Sequence, residues 1–145
     1  MRLVLQRANY QFNGAFVTIN ARRKNQDILL PRQETVGSAG FDLRMPNGFK
    51  LRPGESIIIQ TRIAIEIPAG YFGLIKPRSS LARRGLITDA GVIDQDYRDE
   101  IMVITWNRNK YEDIEIDKGD QIAQIIILPY LPAELKESGL IIETG

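Results

Sequence analysis

Punctuation constrains this chain more than any other feature. From Gly37 onward, turn-forming clusters interrupt it repeatedly: Pro46-Asn47-Gly48, Pro53-Gly54, Pro68-Ala69-Gly70, Asn107-Arg108-Asn109 and Lys118-Gly119-Asp120. Turns recur roughly every 8–12 residues, the spacing of β-sandwiches and barrels. Between them lie short apolar or alternating runs: Ser56 to Ile59, Arg62 to Ile67, Tyr71 to Ile75, Ile101 to Trp106, Asp113 to Asp117 and Ile122 to Leu128. In the second of these, alternation puts Ile63, Ile65 and Ile67 on one face. Long helical periodicity and internal repeats are absent. The pattern predicts one all-β domain over residues 1–145, a jelly roll or barrel.

The two ends are less legible. Ala15 to Ile19 reads as a strand after an Asn13-Gly14 turn, Arg22-Arg23-Lys24 as a solvated basic loop, and Ile28-Leu29-Leu30-Pro31 as a short apolar segment closed by proline. In the tail from Pro129 to Gly145, Pro132 to Glu137 suggests a turn of helix and Leu140-Ile141-Ile142 a last strand. An apolar strand near a terminus is suited to pairing with another subunit, so exchange of residues 129–145 between subunits is an expectation. Trp106 reads as core or subunit contact.

Two absences limit the chemistry. With no Cys and no His, the chain offers no thiol nucleophile, imidazole base, Ser-His-Asp triad or ordinary zinc ligand. Hydrolysis would rest on carboxylates, hydroxyls, Lys or Arg, and an oxygen-seeking ion such as Mg²⁺. The net charge of +1 argues against a dedicated nucleic-acid or anionic-membrane binder. No apolar run reaches the ~20 residues that span a bilayer, and Met1 to Arg7 is too interrupted for a signal peptide. A soluble intracellular protein is the default expectation.

The richest stretch runs from Pro77 to Glu100. Arg78-Ser79-Ser80 leads into Leu81-Ala82-Arg83-Arg84 and stops at Gly85, which fits a short helix with Ser80 as N-cap. Free N–H groups at such a start, with an Arg fork beside them, suit phosphate. Farther on, Gly91-Val92-Ile93-Asp94 sets a carboxylate just past an apolar run, with Tyr97 close behind. Each half has a plainer reading, as a solvated cap and as a turn between strands. Their combination is more specific than either.

Together they resemble the second and third motifs of the trimeric dUTPases (deoxyuridine triphosphate nucleotidohydrolases). Ala39-Gly40-Phe41-Asp42-Leu43 is similar to the first motif, and Gly119-Asp120-Gln121-Ile122-Ala123-Gln124-Ile125-Ile126 to the fourth. The resemblance covers about Ser38 to Ile127, in the family's order and spacing. It implies a jelly-roll-like distorted β-barrel with one short helix, a homotrimer with shared active sites, and Mg²⁺-dependent hydrolysis of dUTP to dUMP and pyrophosphate. That reaction limits uracil incorporation into DNA. It also implies roles for particular residues. Asp94 would orient and activate the water, and Tyr97 would pack on deoxyribose and exclude ribonucleotides. A hairpin over 87–93, including Gly91, Val92 and Ile93, would read uracil through its backbone. Arg78, Ser79, Ser80 and Gln124 would hold the triphosphate. Asp42 would meet Mg²⁺ through water or tether Arg78, while Asp96 reads as a surface turn residue.

The sequence departs from the family pattern at Ser80 and Asp99, both positions where glycine is common. At Thr88, several relatives carry a uracil-contacting amide. The glycine-rich fifth motif, which closes over the nucleotide, is not found; either that tail was removed or the site closes differently. These departures keep open a catalytically weak or inactive nucleotide-binding relative. A dCTP deaminase fits less well, since its glutamate position holds Ile104. The run Ile126 to Pro129 with Glu134-Leu135 and Ser138-Gly139 is somewhat similar to retroviral dUTPases. That likeness points toward a viral or retroelement origin; the expected location is cytoplasm or nucleus, or the virion if the source is viral.

Overall fold

The computed structural model describes residues 16–142. Eleven strands and one short helix follow in order: β1 Asn20–Arg23, β2 Gly40–Arg44, β3 Phe49–Leu51, β4 Ser56–Gln60, β5 Ile63–Glu66, β6 Tyr71–Pro77, α1 Ser79–Arg83, β7 Leu86–Asp89, β8 Val92–Ile93, β9 Met102–Asn107, β10 Ile114–Ile116 and β11 Gln121–Pro129. All pairing is antiparallel, in a sheet β2-β11-β6-β8, a sheet β4-β9-β7, and the ribbons β1-β5 and β3-β10. This is an all-β jelly roll, as the turn spacing predicts.

The core is built from alternation. Ile63, Ile65 and Ile67 are all buried, together with Ile75, Val103, Ile114 and Ile116 from other strands. β11 is the spine of the larger sheet, pairing with β2 on one side and β6 on the other. Its register against β2 shifts between Gln121 and Ala123. That bulge lets consecutive residues Ile122 and Ala123 both face inward, which strict alternation forbids. It also changes which of the following side chains face each way.

The outer face of β4-β9-β7 carries an uncovered apolar patch, edged by Ser56, Gln60 and Asp89. Trp106 stands between Ser56 and Ile87, and Ile104 between Ile58 and Asp89. Ile58 is 60% exposed and Trp106 40%, so Trp106 is not a core residue. A contiguous face of this kind marks a contact surface more often than a solvated one.

The ends differ from expectation. Asn13-Gly14 and Ala15 lie outside the described residues, and 16–19 form no strand; β1 begins at Asn20. Arg22 and Arg23 therefore sit in a strand that pairs with Ala64 and Ile63 rather than in a loop. The tail over 131–142 contains neither the helical turn nor the last strand, and Leu135 is 99% exposed. With no sheet edge or apolar surface engaged, its local propensity does not suffice to order it. Among the described residues, no helix is long and apolar enough to cross a membrane.

Candidate active site

The sequence-predicted residues fall into two groups. The first gathers where β2, β11 and the end of β6 come together. Asp42, Gln124 and Lys76 are direct cross-strand neighbours, so their side chains share one face. Asp42 is 4% exposed, and a carboxylate buried that deeply needs partners for its charge. It has them: Arg78 Nη1 donates to Oδ1, and Gln121 Nε2 donates to Oδ2 at 2.9 Å. Gln121 also reaches Glu34 Oε2 at 2.6 Å. Arg78 is the bridge between interior and solvent, its side chain 28% exposed. Asp42 thus fixes the fork of Arg78 at the mouth of the sheet.

Gly40 explains itself through Gln124. A Cβ at Gly40 would stand 2.5 Å from Gln124 Oε1 and 3.0 Å from its Cβ. The glycine leaves the space that the amide side chain occupies, so the first and fourth motifs interlock.

Ser79 and Ser80 open α1 and are exposed. The N-cap is Arg78 in extended conformation, with no side-chain cap bond, so Ser80 does not cap the helix as expected. Capping by a side chain needs its acceptor one residue outside the helix, and Ser80 lies inside. Leu81 N and Ala82 N donate to Arg78 O at 3.1 and 2.9 Å, which leaves the N–H groups of Ser79 and Ser80 without helical acceptors. At the other end Gly85, at φ +96°, donates to Ala82 and ends the helix as predicted. A Cβ there would meet the Asn109 nitrogen at 2.8 Å.

The second group surrounds β8. Ala90 and Gly91, at φ +59° and +111°, carry the chain from β7 in one sheet to β8 in the other. Ile75 N donates to Gly91 O at 2.8 Å, and a Cβ on Gly91 would crowd Ile75 O at 2.9 Å. No ladder joins β7 to β8, because each finds its partner elsewhere, β7 on β9 and β8 on β6. The hairpin expected over 87–93 is therefore an open turn between sheets. Past Ile93 the ladder ends and Asp94 emerges exposed. Tyr97 N donates to Asp94 O at 3.1 Å, closing a turn, and the Tyr97 hydroxyl donates to Glu100 O at 2.7 Å. Glu100 in turn accepts from Arg62 N at 2.7 Å, holding Arg62 at φ +60°. Asp94 lines an open groove with Phe72, Val92, Gln95, Asp96 and Tyr130. Phe72 and Tyr130 meet edge-on across it, centroids 6.4 Å apart. Asp96 is an exposed turn residue on the rim, as predicted, and Asp99 is exposed with no ion pair among the described residues.

The two groups do not meet within one chain. Asp94 lies beside Phe72, whereas Arg78 follows the far end of β6. Six residues of extended backbone separate those levels, about 20 Å at the rise of a strand.

The comparisons with known proteins agree with one another. The dUTPase family model matches residues 26–144. The chain is 43% identical over 125 residues to the deoxyuridine 5′-triphosphate nucleotidohydrolase of Anaeromyxobacter sp. strain Fw109-5, covering 82% of this chain and 84% of that one. It is 41% identical over 115 residues to the enzyme of the same name from Aquifex aeolicus, covering 76% of each. The chain belongs to the dUTPase family.

Solved dUTPases share the fold. A mutant dUTPase of phage phi11 of S. aureus, described with a structural Mg(II) ion, superposes with a TM-score of 0.80 at 24% identity, over 86% of this chain and 99% of that one. A Staphylococcus bacteriophage 80alpha dUTPase mutant with dUpNHpp gives 0.79 at 24% identity, over 86% and 97%. Further contacts brace the residues named from the sequence, among them Gly70 N donating to Gln95 Oε1 at 2.8 Å. Four others were not singled out in the sequence: Gln121, Glu34, Gln95 and Glu100. Gln121 lies inside the fourth motif and next to the bulge; the other three contacts join segments remote in sequence, and no local signal marks them. Thr88 and Thr105, directly paired across β7 and β9, bury hydroxyls that find no partner among the described residues.

Proposed function

We propose that this protein hydrolyses dUTP to dUMP and pyrophosphate, with Asp94 preparing the attacking water. Family membership over residues 26–144 carries the reading. Water adds to the α-phosphorus, its proton passes to the Asp94 carboxylate, and the bond from that phosphorus to the bridging oxygen breaks to release pyrophosphate. An exposed carboxylate on a closed turn beside a groove suits the base. Positioning and charge neutralisation do most of the rest in such reactions. Arg78, Ser79, Ser80 and Gln124 take the triphosphate in this reading, Arg78 as a pre-aimed fork held by Asp42. The half-buried Tyr97 ring, fixed through its hydroxyl, forms the sugar platform, and the backbone of Gly91, Val92 and Ile93 faces the base.

Mg²⁺ fits this donor set of carboxylates and amides without His or Cys; bound with the triphosphate, it would supply charge neutralisation for the phosphate oxygens. Among the described residues no group of three or more acidic side chains forms a metal cage. Both Asp42 oxygens already accept protein hydrogen bonds, which favours contact with the ion through water alone.

The working enzyme in this reading is a homotrimer whose sites draw on more than one chain. Two observations support it: the separation of Asp94 from Arg78, and the bare apolar face of β4-β9-β7. The test is pyrophosphate release from dUTP with Mg²⁺, against dCTP, dTTP and UTP, with Asp94→Asn as control. Release confined to dUTP and reduced at least a hundredfold in the variant is expected. Equal turnover of UTP, or a fully active variant, would reject the assignment. The inactive-relative alternative has no observation in its favour.

A further inference from the structure

Asp94 stands just beyond the last rung of its ladder. β8 has only two residues, Val92 and Ile93, paired with Leu74 and Gly73 on β6. The next tie back to β6's side of the molecule is a side chain. Gln95 Oε1 accepts the N–H of Gly70 at 2.8 Å, in the turn that leads into β6. Gly70 is at φ +87°, a conformation that aims its N–H out of the turn and that glycine adopts without steric cost. Its carbonyl accepts Tyr130 N at 3.0 Å. The same glycine therefore holds both sides of the groove: through its N–H the turn that bears Asp94, and through its C=O the backbone of Tyr130, whose ring meets Phe72.

We infer that Gln95 is a positioning residue for the reaction, setting the Asp94 carboxylate against the Phe72–Tyr130 wall by its bond to Gly70. This rests on the reading of Asp94 as the group that prepares the water. Arg98 reinforces the turn from outside, its guanidinium donating to Gln95 O at 2.5 Å and Tyr97 O at 3.0 Å. Those bonds tie the turn to itself; among the described residues only the Gln95 side chain ties the Asp94–Tyr97 turn to the segment before β6. Its length matters as well as its chemistry. A shorter acceptor would not span the gap, and a side chain of equal length without an acceptor would leave the Gly70 N–H unpaired and the turn free to drift. A misplacement of about 1 Å at a reacting group costs on the order of a hundredfold in rate. Partial drift of a turn still closed by Tyr97 and Arg98 should cost less, roughly tenfold.

Two variants separate the possibilities. Gln95→Met keeps length and removes the acceptor; Gln95→Glu keeps both. With dUTP and Mg²⁺, Gln95→Met is expected to lose roughly tenfold in kcat with KM within about twofold, because the groups assigned to the triphosphate lie elsewhere and the Tyr97 ring stays held by its hydroxyl on Glu100 O. Gln95→Glu is expected to retain most of kcat. Thermal unfolding of both should stay close to the parent. Unchanged kcat in Gln95→Met would overturn the inference, as would equal loss in both variants. A fall in kcat that tracks a lowered Tm would also overturn it, by making Gln95 merely structural. Asp94→Asn run alongside tells the two levels apart. If that variant stays active, the reading of Asp94 fails and the inference falls with it; if it is inactive while Gln95→Met is normal, only the inference fails.

Discussion

Single residues in this site are chosen for the space or charge they give a neighbour. Asp42 is the clearest case. Its buried carboxylate would be costly alone, and Arg78 and Gln121 make it tolerable while being fixed by it in return. Gly40 works by omission, leaving room for Gln124. Gly40→Ala should therefore act on binding more than on stability. The methyl displaces the Gln124 amide, which can swing away, and presses only lightly on its fixed Cβ, so Tm should fall by about a few degrees at most while Gln124 loses its aim. With the proposed charge-assisted bond from Gln124 to the triphosphate lost, KM for dUTP should rise roughly tenfold, measurable in steady-state kinetics. A large fall in Tm with KM unchanged would mean that the glycine serves packing alone. Sequence motifs identified Gly40, Asp42, Arg78 and Gln124 as a set. They could not show that Gln121 shares Asp42, because that contact depends on the bulge between Gln121 and Ala123. A bulge follows from ladder geometry and not from local propensity.

At the scale of elements, what is punctuated locally was legible and what is paired remotely was not. Gly85 ends α1 and the alternation of Ile63, Ile65 and Ile67 makes a buried face, because both follow from nearest neighbours in sequence. The family resemblance implies a hairpin over 87–93, yet its halves join different sheets. β9 and β6 compete for them, and a two-residue turn cannot outweigh whole ladders. The crossing depends on Gly91, where φ is +111° and the Ile75 carbonyl closes off the space for a side chain. Gly91→Ala combines backbone strain with a contact against backbone that cannot move aside. It should cost about 2–4 kcal/mol in stability, measured by urea unfolding. The loss of activity should exceed the loss of folded protein, since the same turn launches Asp94. Wild-type stability in that variant would show that the turn has room the geometry denies it. The tail over 131–142 failed the other way. Its helical and strand propensities are real, but with no surface to bury against within the chain they produce no element.

For the whole molecule, the decisive fact is distance. On the proposed reading, a base at one end of β6 and a phosphate clamp about 20 Å along the strand cannot act on adjacent atoms of one nucleotide. A closed ring of identical chains solves this, because a head-to-tail contact brings one end of each chain to the other end of the next. The uncovered Ile58, Met102 and Trp106 on β4-β9-β7 give such a ring an apolar surface to bury. Complementation tests the arrangement directly. Arg78→Ala and Asp94→Asn proteins should each be nearly inactive, one lacking the clamp and the other the base. If each site takes Arg78 from one chain and Asp94 from its neighbour, unfolding and refolding an equimolar mixture restores intact sites. Random assembly of a three-chain ring makes roughly one site in four intact, so the mixture should recover about a quarter of wild-type activity. Mixing without unfolding should recover little until subunits exchange. If both residues serve the same site from a single chain, no mixture can contain an intact site and activity stays at the level of the separate variants. Sedimentation of the refolded mixture, showing trimers in either case, would assign such a failure to the site and not to the assembly.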